Sequence, residues 1–340
     1  MKIVRIGING FGRIGRIAAR IILSRKNLEL AAINSRADSS SHAYLLKYDT
    51  TYGTLPNTVK VIGYDKLGVG NNIISTYKKD LPEEIPWKDS FVDIVIEATG
   101  KFRDGESMKG HLRAGAKYVL LSAPAKDTTK TLVKGVNHNT FKPELDKIVS
   151  NSSCTTNCLA TTLKVLHDKF KVKRAFMTTT HAITDSQNLL DNSHSKEARL
   201  RRASFASMIP SSTGSAKDIT KLFPDLSGKI VCQAIRVPLL TVSLINLTAE
   251  LESSTNKEAV NASFIEASCG YLKGILEVTN EELVSKDFTG NINSSIIDAS
   301  LTQVIDGNLV NIYAWYDNEW GYTSRLIDMV EFIAQKGGLL

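Results

Sequence analysis

The first half of the chain alternates short apolar runs with helical periodicity. Four runs are rich in β-branched and aliphatic side chains: Met1–Asn9, Leu28–Asn34, Asp93–Ala98 and Tyr118–Ser122. Arg13–Ser24, between the first two runs, has the apolar spacing of a helix. Short buried strands joined by helical crossovers are typical of a parallel sheet, so we predict an α/β domain over residues 1–152. The segment Asn57–Lys79 alternates polar and apolar residues around several glycines, which predicts a hairpin pair at the sheet edge.

A second pattern begins after residue 150. Leu159, Leu163, Leu166 and Phe170 have helical spacing, and a serine at position 152 or 153 can cap that helix. Four later runs are strand-like: Ala175–Thr180, Ile230–Val237, Thr241–Glu250 and Leu309–Tyr316. They predict an α+β domain over residues 153–318 with a mostly antiparallel sheet, covered by a helix at Lys257–Cys269. A last amphipathic helix, Ser324–Gln335, lies in the segment 319–340, which we expect to complete the first domain.

The composition narrows the class of protein. The chain has 340 residues, of which 42% are apolar and 23% charged, and this fits a two-domain globular protein. No run approaches the roughly 20 apolar residues that span a membrane, and no basic leader precedes an apolar stretch. We therefore expect a cytoplasmic protein without a membrane segment. Its four cysteines are then expected to be free thiols.

The excess of basic residues is distributed along the chain rather than concentrated in one segment. The net charge is +7, and 42 basic residues are interspersed with 35 acidic ones. This pattern favours phosphate-bearing small molecules, which need only a few convergent cations. The densest basic cluster is Lys196–Arg202, which includes Arg199, Arg201 and Arg202. Nucleic acid is not required as a partner, although a basic binding protein for nucleic acid or a host factor remains the alternative from another class.

A glycine pattern follows the first apolar run. Gly10, Gly12 and Gly15 form G-x-G-x-x-G between a predicted strand and a predicted helix. In that context the first glycine allows a tight turn, the second lets the backbone approach a pyrophosphate, and the third lets the helix pack closely. The N-terminus of the helix then attracts the phosphates. We predict a Rossmann dinucleotide-binding domain.

The end of the second strand bears on the choice of cofactor. An NAD-binding domain places an acid about 20 residues after the glycines, where it binds the ribose 2′-hydroxyl. This chain has Ser35 followed by Arg36 there, and the first acid is Asp38. A hydroxyl with a neighbouring guanidinium can bind a 2′-phosphate that a carboxylate would repel. The sequence therefore favours NADP, or the use of both NADP and NAD.

One cysteine and one histidine are the candidate catalytic pair. Cys154 lies at a predicted helix start, where we expect a lowered thiol pKa, and a hydroxyl-rich stretch flanks it. His181, at the end of the strand Ala175–Thr180, can act as its base. Cys158 is interpreted as a structural thiol. We expect His167 and His194 at the surface, and no metal site, since no further Cys or His pair has ligand spacing.

Hydroxyl-rich and basic positions predict more than one anion subsite. The run Ser211–Ser215 can present hydroxyls and backbone N–H groups to an anion. Thr184 comes just after His181, and Arg236 ends a predicted strand. Arg199, Arg201, Arg202 and Lys217 supply further positive charge.

These motifs together resemble those of the glyceraldehyde-3-phosphate dehydrogenase family. The resemblance spans essentially the whole chain, and its segments are Ile8–Arg16, Leu46–Asp49, Glu97–Gly100, Ser153–Cys158, Ser212–Gly214, Arg236–Pro238 and Trp315–Tyr322. The cysteine hexapeptide and the segment Trp315–Tyr322 are the most specific of these. The resemblance implies phosphorylating oxidation of glyceraldehyde 3-phosphate to 1,3-bisphosphoglycerate through a thioester, in glycolysis or gluconeogenesis.

The resemblance also implies roles for individual residues. Cys154 attacks the aldehyde and His181 takes the hydroxyl proton. Thr184 and Arg236 hold the phosphate of the substrate. The inorganic phosphate site is formed by Ser153, Thr155, Thr213 and Gly214. On the cofactor side, the implied contacts are the backbone of Arg13 and Ile14 at the pyrophosphate, Thr99 and Ser122 in the cleft, and Asn318 at the nicotinamide. The family is typically a homotetramer.

The chain departs from the family pattern at several informative positions. Ile183 replaces the usual tyrosine after the histidine, Asp185-Ser186 replaces Asn-Asp, and Leu240 replaces a proline. Asn192-Ser193 stands where NAD-specific members carry Leu-Pro, and NADP-using relatives have a serine at the second position. Ser193 therefore supports the NADP interpretation from Ser35. Erythrose-4-phosphate dehydrogenase is the nearest alternative enzyme, but its phosphate loop typically lacks the Thr213-Gly214 pair.

Overall fold

The computed structural model describes residues 2–194 and 197–340. The chain divides into two compact units. The first unit contains the residues up to Ser152 together with Thr323–Leu340, and the second unit contains Ser153–Tyr322. Each unit has its own sheet and its own buried apolar core.

Within the described residues, the first unit forms a nine-stranded sheet. Its strands are β1 (Val4–Asn9), β2 (Leu28–Asn34), β5 (Val59–Val61), β6 (Lys66–Val69), β7 (Asn72–Tyr77), β8 (Ile94–Glu97), β9 (Tyr118–Leu121), β10 (Lys130–Thr131) and β11 (Ile148–Ser150). Their order across the sheet is β10-β11-β9-β8-β1-β2-β7-β6-β5. A separate small pair consists of β3 (Tyr48–Asp49) and β4 (Gly53–Thr54). Neighbours from β10 to β7 run parallel, whereas β7, β6 and β5 are joined antiparallel. The predicted edge hairpins are thus confirmed.

The strand order reverses at β1, which has β2 on one side and β8 on the other. Open α/β sheets bind ligands outside the carboxyl ends of the strands at such a reversal. The residues at these ends are Asn9 on β1, Asn34 on β2 and Glu97 on β8, all of them buried. The fold therefore places polar side chains beneath the expected dinucleotide cleft.

The helices of the first unit begin at residues suited to capping. They are α1 (Arg13–Ile22), α2 (Ser39–Lys47) and α3 (Gly105–Arg113). The side chain of Asp38 accepts the N–H of Ser41 at the start of α2, and Asp104 accepts that of Ser107 at the start of α3. In contrast, α1 begins after Gly12 without a side-chain cap and without an acid in its first turn. Its N-terminus is therefore the one suited to an external anion.

The part of the second unit that the structure describes has an eight-stranded sheet. The strands are β12 (Val172–Ala182), β13 (Ile209–Ser211), β14 (Ile230–Val237), β15 (Ser243–Leu251), β16 (Leu276–Thr279), β17 (Ser295–Asp298), β18 (Gln303–Ile305) and β19 (Leu309–Tyr316). Their order is β13-β14-β12-β15-β19-β17-β16, with β18 paired to β19. Only the pairs β12–β14 and β16–β17 among these are parallel. The mostly antiparallel α+β prediction is confirmed.

The helices of the second unit cover one face of this sheet. They are α4 (Cys154–Phe170), α5 (Ser215–Leu222) and α6 (Lys257–Cys269), and α7 (Trp320–Lys336) follows at the boundary with the first unit. The central helix α4 packs against β12, β15, β17 and β19 and against α5 and α6. Burial on several sides explains why so many of its residues, including Cys158, are inaccessible to water. Cys158 is the buried thiol that the sequence predicted, and all four cysteines are free.

The expectation that His167 lies at the surface was wrong. Its side chain is buried, and its Nδ1 accepts the N–H of Val172 at 3.2 Å. Its Nε2 lies 2.8 Å from Asp225 Oδ2. The reason is a single-residue turn at Lys171, whose φ of +57° sends the chain from α4 directly into β12 and over the ring. His194 is half-buried.

Among the described residues, no helix combines the length and apolar character needed to cross a bilayer.

Candidate active site

Cys154 is the first residue of α4, and the preceding serine caps that helix. Ser153 Oγ accepts the N–H of Thr156 at 3.1 Å, which confirms a serine cap at this helix start. Cys154 Sγ lies 3.5 Å from Nε2 of His181. The histidine side chain is buried near the end of β12. The structure thus brings together the thiol and the imidazole that the sequence paired.

The parallel pairing of β12 and β14 places Arg236 directly beside His181. Arg236 Nη1 is 2.7 Å from His181 Nδ1 and 3.3 Å from the carbonyl oxygen of Ala182. The same carbonyl lies 2.7 Å from Nδ1. These contacts require different tautomers of a neutral ring. If Nδ1–H donates to Ala182, then Nε2 faces the sulfur as an acceptor; if Arg236 donates to Nδ1, Nε2 carries the proton.

Burial dominates the electrostatics of the pair. Burial and the charge of Arg236 lower the pKa of His181 to about 3, so the ring is neutral at physiological pH. Burial also raises the pKa of the Cys154 thiol, while Arg236 and the Thr155 hydrogen bonds oppose that rise. The expected lowering of the thiol pKa at the helix start was therefore wrong in its net direction. Removing the sulfur from water outweighs the local positive potential.

Tyr316 lies behind the pair and was not singled out from the sequence. Its hydroxyl is 2.9 Å from Thr155 Oγ1 and 2.8 Å from Thr179 Oγ1. Its ring meets the His181 ring edge-on at 6.1 Å between centroids. The tyrosine thereby ties the first turn of α4 to the strand that carries the histidine. Every second side chain of β19 is buried, and Tyr316, the last residue of the strand, points inward in that register.

Asn318 lies in the same unit, held by a buried polar framework. Its Oδ1 accepts the hydroxyl of Ser243 at 3.0 Å, and Ser243 Oγ accepts the N–H of Ala182 at 3.1 Å. The adjacent carboxylate of Asp317 accepts N–H groups of Gly290 and Trp320. Because Oδ1 accepts from Ser243, the orientation of the amide is set, and its nitrogen is the donor end of the side chain. Sequence reasoning did not identify Ser243.

The hydroxyls assigned to phosphate sites differ in exposure. Thr184 is exposed, and its Oγ1 lies 2.9 Å from Ser186 Oγ. Thr213 Oγ1 lies 3.0 Å from Ser215 Oγ, and Gly214 precedes α5 as its N-cap, without a side-chain hydrogen bond to the helix. Thr155, in contrast, is buried against Tyr316.

The basic cluster lies near a further cavity of the second unit. This cavity has a volume of about 560 Å³, and its lining residues include Glu197, Arg199, Ser211, Ser212 and Gln233. Ser212 Oγ donates to Glu197 Oε1 at 2.8 Å. Arg202 is paired with Asp191 at 3.1 Å instead. Lys196, which the sequence placed in this cluster, lies outside the described residues. The cavity is distinct from the Cys154–His181 contact.

The glycine loop of the first unit has the shape that a dinucleotide requires. Gly10 has a φ of +97°, and a Cβ there would lie 2.6 Å from the backbone of Ala98 and Thr99. A Cβ on Gly15 would lie 2.1 Å from the carbonyl oxygen of Gly10. A Cβ on Gly12 would meet open space. Together with the uncapped start of α1, at Arg13 and Ile14, these residues fit a bound pyrophosphate.

Ser35 and Arg36, on which the NADP prediction rests, lie just after β2. Ser35 is half-buried, and its N–H donates to the carbonyl of Tyr77 at 3.1 Å. Arg36 is exposed, and its Nε lies 3.5 Å from Oδ1 of Asp80, which is also exposed. Asp38 is engaged as the cap of α2. Asp80 is thus a carboxylate paired with one of the two predicted 2′-phosphate residues, and its distance in the sequence concealed this contact.

Thr99 and Ser122 follow β8 and β9. Thr99 is exposed, and both its N–H and its hydroxyl donate to Glu97 Oε1. Ser122 Oγ donates to the carbonyl of Glu97 at 3.0 Å. Ser193 is exposed on the loop after β12 and belongs to the second unit. In the described residues, no group of three or more His, Cys, Asp or Glu side chains is placed to hold a metal ion.

Both units match known proteins. Residues 4–105 match the profile of "Glyceraldehyde 3-phosphate dehydrogenase, NAD binding domain", and residues 153–318 match that of the C-terminal domain. The chain is 46% identical over 334 residues to glyceraldehyde-3-phosphate dehydrogenase of Geobacillus stearothermophilus, covering 98% of this chain and 99% of the relative. It is 47% identical over 334 residues to that of Priestia megaterium, with the same coverage. Identity to the cytosolic enzyme of Craterostigma plantagineum is 45% over 336 residues, again 98% and 99% of the two chains.

Proposed function

Because the chain belongs to the glyceraldehyde-3-phosphate dehydrogenase family, we propose that Cys154 is its nucleophile and His181 its catalytic base. The chain is an oxidoreductase that converts glyceraldehyde 3-phosphate and inorganic phosphate to 1,3-bisphosphoglycerate with a nicotinamide dinucleotide. The observation that carries the residue assignment is the 3.5 Å approach of Cys154 Sγ to His181 Nε2 at the start of α4.

In the proposed reaction, the substrate is bound covalently to Cys154 Sγ, and one proton is exchanged with His181. His181 Nε2 accepts the thiol proton as Cys154 Sγ bonds to the aldehyde carbon, and it then passes this proton to the former carbonyl oxygen, which becomes a hydroxyl. His181 then takes the proton of that hydroxyl, which leaves a thioester on Cys154. When bound, the nicotinamide cofactor supplies the acceptor of the hydride that leaves the same carbon. Inorganic phosphate displaces the sulfur, the acyl phosphate departs, and the thiolate recovers the proton held by His181.

We propose that Arg236 both binds the phosphate of the substrate and controls the tautomer of His181. Its guanidinium and the exposed hydroxyl of Thr184 bind the phosphate of the substrate. The contact of Arg236 with His181 Nδ1 suggests how binding prepares the base. An anion that draws the guanidinium away leaves Nδ1–H to the Ala182 carbonyl, and Nε2 then faces Cys154 as an acceptor. Ser153, Thr155, Thr213 and Gly214 form the inorganic phosphate site.

For the cofactor, we propose that NADP is preferred over NAD or used beside it. Ser35 supplies a hydroxyl where an NAD-specific domain has a carboxylate, and Arg36 supplies a positive charge. The Asp80 carboxylate beside Arg36 limits this preference by competing for the guanidinium. Ser193 and Asn318 are proposed as further cofactor contacts. The glycines Gly10, Gly12 and Gly15, with Arg13, Ile14, Thr99 and Ser122, form the remainder of the site.

Initial rates with and without inorganic phosphate test the activity. We expect phosphate-dependent reduction of the cofactor with glyceraldehyde 3-phosphate, and a much smaller kcat/KM with erythrose 4-phosphate. Cys154→Ser should lower the phosphate-dependent rate by roughly 10³-fold or more, because a hydroxyl is a far poorer nucleophile here. Cys232→Ser, at a half-buried thiol on β14, is the matched control and should keep the rate. A phosphate-independent rate, or an active Cys154→Ser variant, contradicts the proposal.

We propose a homotetramer located in the cytoplasm. Phe176 and Val231 are register partners on β12 and β14, and 69% and 52% of their respective surfaces are exposed. An apolar pair on an open sheet face supports subunit contact there. Phe176→Lys should lower the mass measured by light scattering, whereas Tyr64→Lys, at an exposed tyrosine of the first unit, should not. A tetrameric Phe176→Lys variant argues against this face. Binding to nucleic acid or a host factor is not required by any of these features.

A further inference from the structure

A chain of buried polar side chains lies beneath the dinucleotide cleft of the first unit. Trp87 Nε1 donates to Nδ1 of His111 at 2.9 Å, and His111 Nε2 lies 3.0 Å from Glu97 Oε2. All three side chains are fully buried. None of them was assigned to a site from the sequence.

The direction of each hydrogen bond follows from the chemistry of Trp87. An indole N–H can only donate, so Nδ1 of His111 is the acceptor and the neutral ring carries its proton on Nε2. His111 therefore donates to Glu97. Asn9 Nδ2 donates to the same carboxylate oxygen at 2.6 Å. The other oxygen of Glu97 accepts both the N–H and the hydroxyl of Thr99. Donors converge on both oxygens, which is the environment of a carboxylate rather than of a neutral acid.

The same carboxylate connects the loops that follow β1 and β8. Thr99 belongs to the exposed loop after β8, and the backbone there packs against Gly10, where no Cβ would fit. Ala98 N–H donates to the carbonyl of Asn9 at 2.7 Å. Asn9 Oδ1 in turn accepts from Asn34 Nδ2 at 2.8 Å, next to Ser35 at the end of β2. One buried network thus joins three strand ends at the reversal of the sheet.

We infer that Glu97 is a positioning residue for the dinucleotide cofactor, oriented from below by His111 and Trp87. The inference rests on the proposed cofactor site and adds residues that do not themselves touch the cofactor. Glu97 holds Thr99 and, through the packed backbone, the glycine loop in the conformation that receives the dinucleotide. A buried carboxylate is a poor choice for stability alone, since apolar residues of similar volume are often as stabilising. What the carboxylate provides is a fixed acceptor for the Thr99 loop.

Exchanging the amide of Asn9 and the carboxylate of Glu97 separates an effect on cofactor binding from an effect on stability. Glu97→Gln should weaken binding of NAD and NADP about tenfold by calorimetric titration, through loss of the charged acceptor of Thr99. The double variant Asn9→Asp with Glu97→Gln returns one carboxylate to the network and lets the amide at 97 donate to it, although His111 Nε2–H still faces that amide nitrogen. We therefore expect this swap to recover part of the thermal midpoint lost in Glu97→Gln but not the affinity for the dinucleotide. Recovery of affinity together with the midpoint would overturn the inference.

His111 offers a second test that keeps Glu97 intact. His111→Gln retains an acceptor for Trp87 and a donor for Glu97, so affinity should stay within about threefold of the native value. His111→Leu removes both groups, and we expect it to weaken cofactor binding while kcat at saturating cofactor changes less than KM. Equal affinity in His111→Leu, His111→Gln and the native protein overturns the inference. If the native protein bound neither dinucleotide, the proposed function itself would fail, so the two failures are distinguishable.

Discussion

Arg236 and His181 occupy paired positions on neighbouring parallel strands, and Arg236 Nη1 lies 2.7 Å from His181 Nδ1. The positive charge lowers the pKa of His181 and opposes the rise in the pKa of Cys154. One cation of the proposed substrate site therefore influences both members of the proposed catalytic pair. The effect of Arg236 on the two pKa values can be separated from phosphate binding by alkylating Cys154, a reaction that needs no substrate.

Arg236→Gln should move both limbs of the pH profile for alkylation of Cys154 by iodoacetamide. Removing the cation makes protonation of His181 easier and deprotonation of Cys154 harder, so each limb shifts upward by on the order of one pH unit. Arg174→Gln is the matched control, because Arg174 lies on the same strand as His181 but is exposed and paired with Glu250 of β15 at 2.6 Å. An unchanged profile in Arg236→Gln means that Arg236 does not act on the pair electrostatically.

His181 should make the native protein sensitive to acid. Its folded pKa of about 3 lies below the ordinary value of 6.5, so the unfolded state binds the proton first as pH falls. Stability from this residue is present above pH 6.5 and is lost between 6.5 and about 3, at roughly 1.4 kcal/mol per pH unit. His181→Gln should therefore show a shallower fall of thermal midpoint below pH 6.5 than the native protein and the control His194→Gln. Parallel curves for all three proteins would contradict this assignment.

Tyr316→Phe should loosen the start of α4. The change removes the hydroxyl that contacts both Thr155 and Thr179, and it leaves those buried groups without that partner. We expect a loss of about 1–3 kcal/mol in the free energy of unfolding. We also expect a lower kcat, because Cys154 is the first residue of α4 and shifts with its first turn. Tyr313→Phe, on the opposite face of β19, is the control. Denaturant unfolding and initial rates measured together check both parts; a native kcat in Tyr316→Phe would separate the tyrosine from catalysis.

Asp80→Asn and Ser35→Asp should shift cofactor preference in opposite directions. Asp80→Asn frees Arg36 and removes a repelling charge, so the ratio of kcat/KM for NADP over NAD should rise a few-fold, as expected for exposed charges. Ser35→Asp introduces a carboxylate that repels a 2′-phosphate and should lower the ratio. Asp89→Asn, an exposed acid of the same unit, controls for net charge. A strong native preference for NAD that neither variant alters would refute the 2′-phosphate argument.

Local signals in the sequence predicted the main strands and helices and indicated Cys154 and His181 as candidate reacting groups. The serine before Cys154 predicts a helix start, the glycines after β1 predict the dinucleotide turn, and strand-like runs predict the strands at whose ends His181 and Arg236 lie. These features depend on capping, backbone conformation and side-chain periodicity, which act over a few residues. They needed no knowledge of which strands are neighbours.

Tertiary structure decided the distances and the electrostatics. The 3.5 Å contact of Cys154 with His181 and the pairing of Arg236 with His181 depend on strand neighbours far apart in the chain. So do the hydroxyl of Tyr316 beneath Thr155 and the carboxylate of Asp80 beside Arg36. The sequence led to wrong expectations for the thiol pKa and for His167, since burial is set by the packing of the whole unit. A side chain's type is local, whereas its desolvation and its partners are properties of the fold.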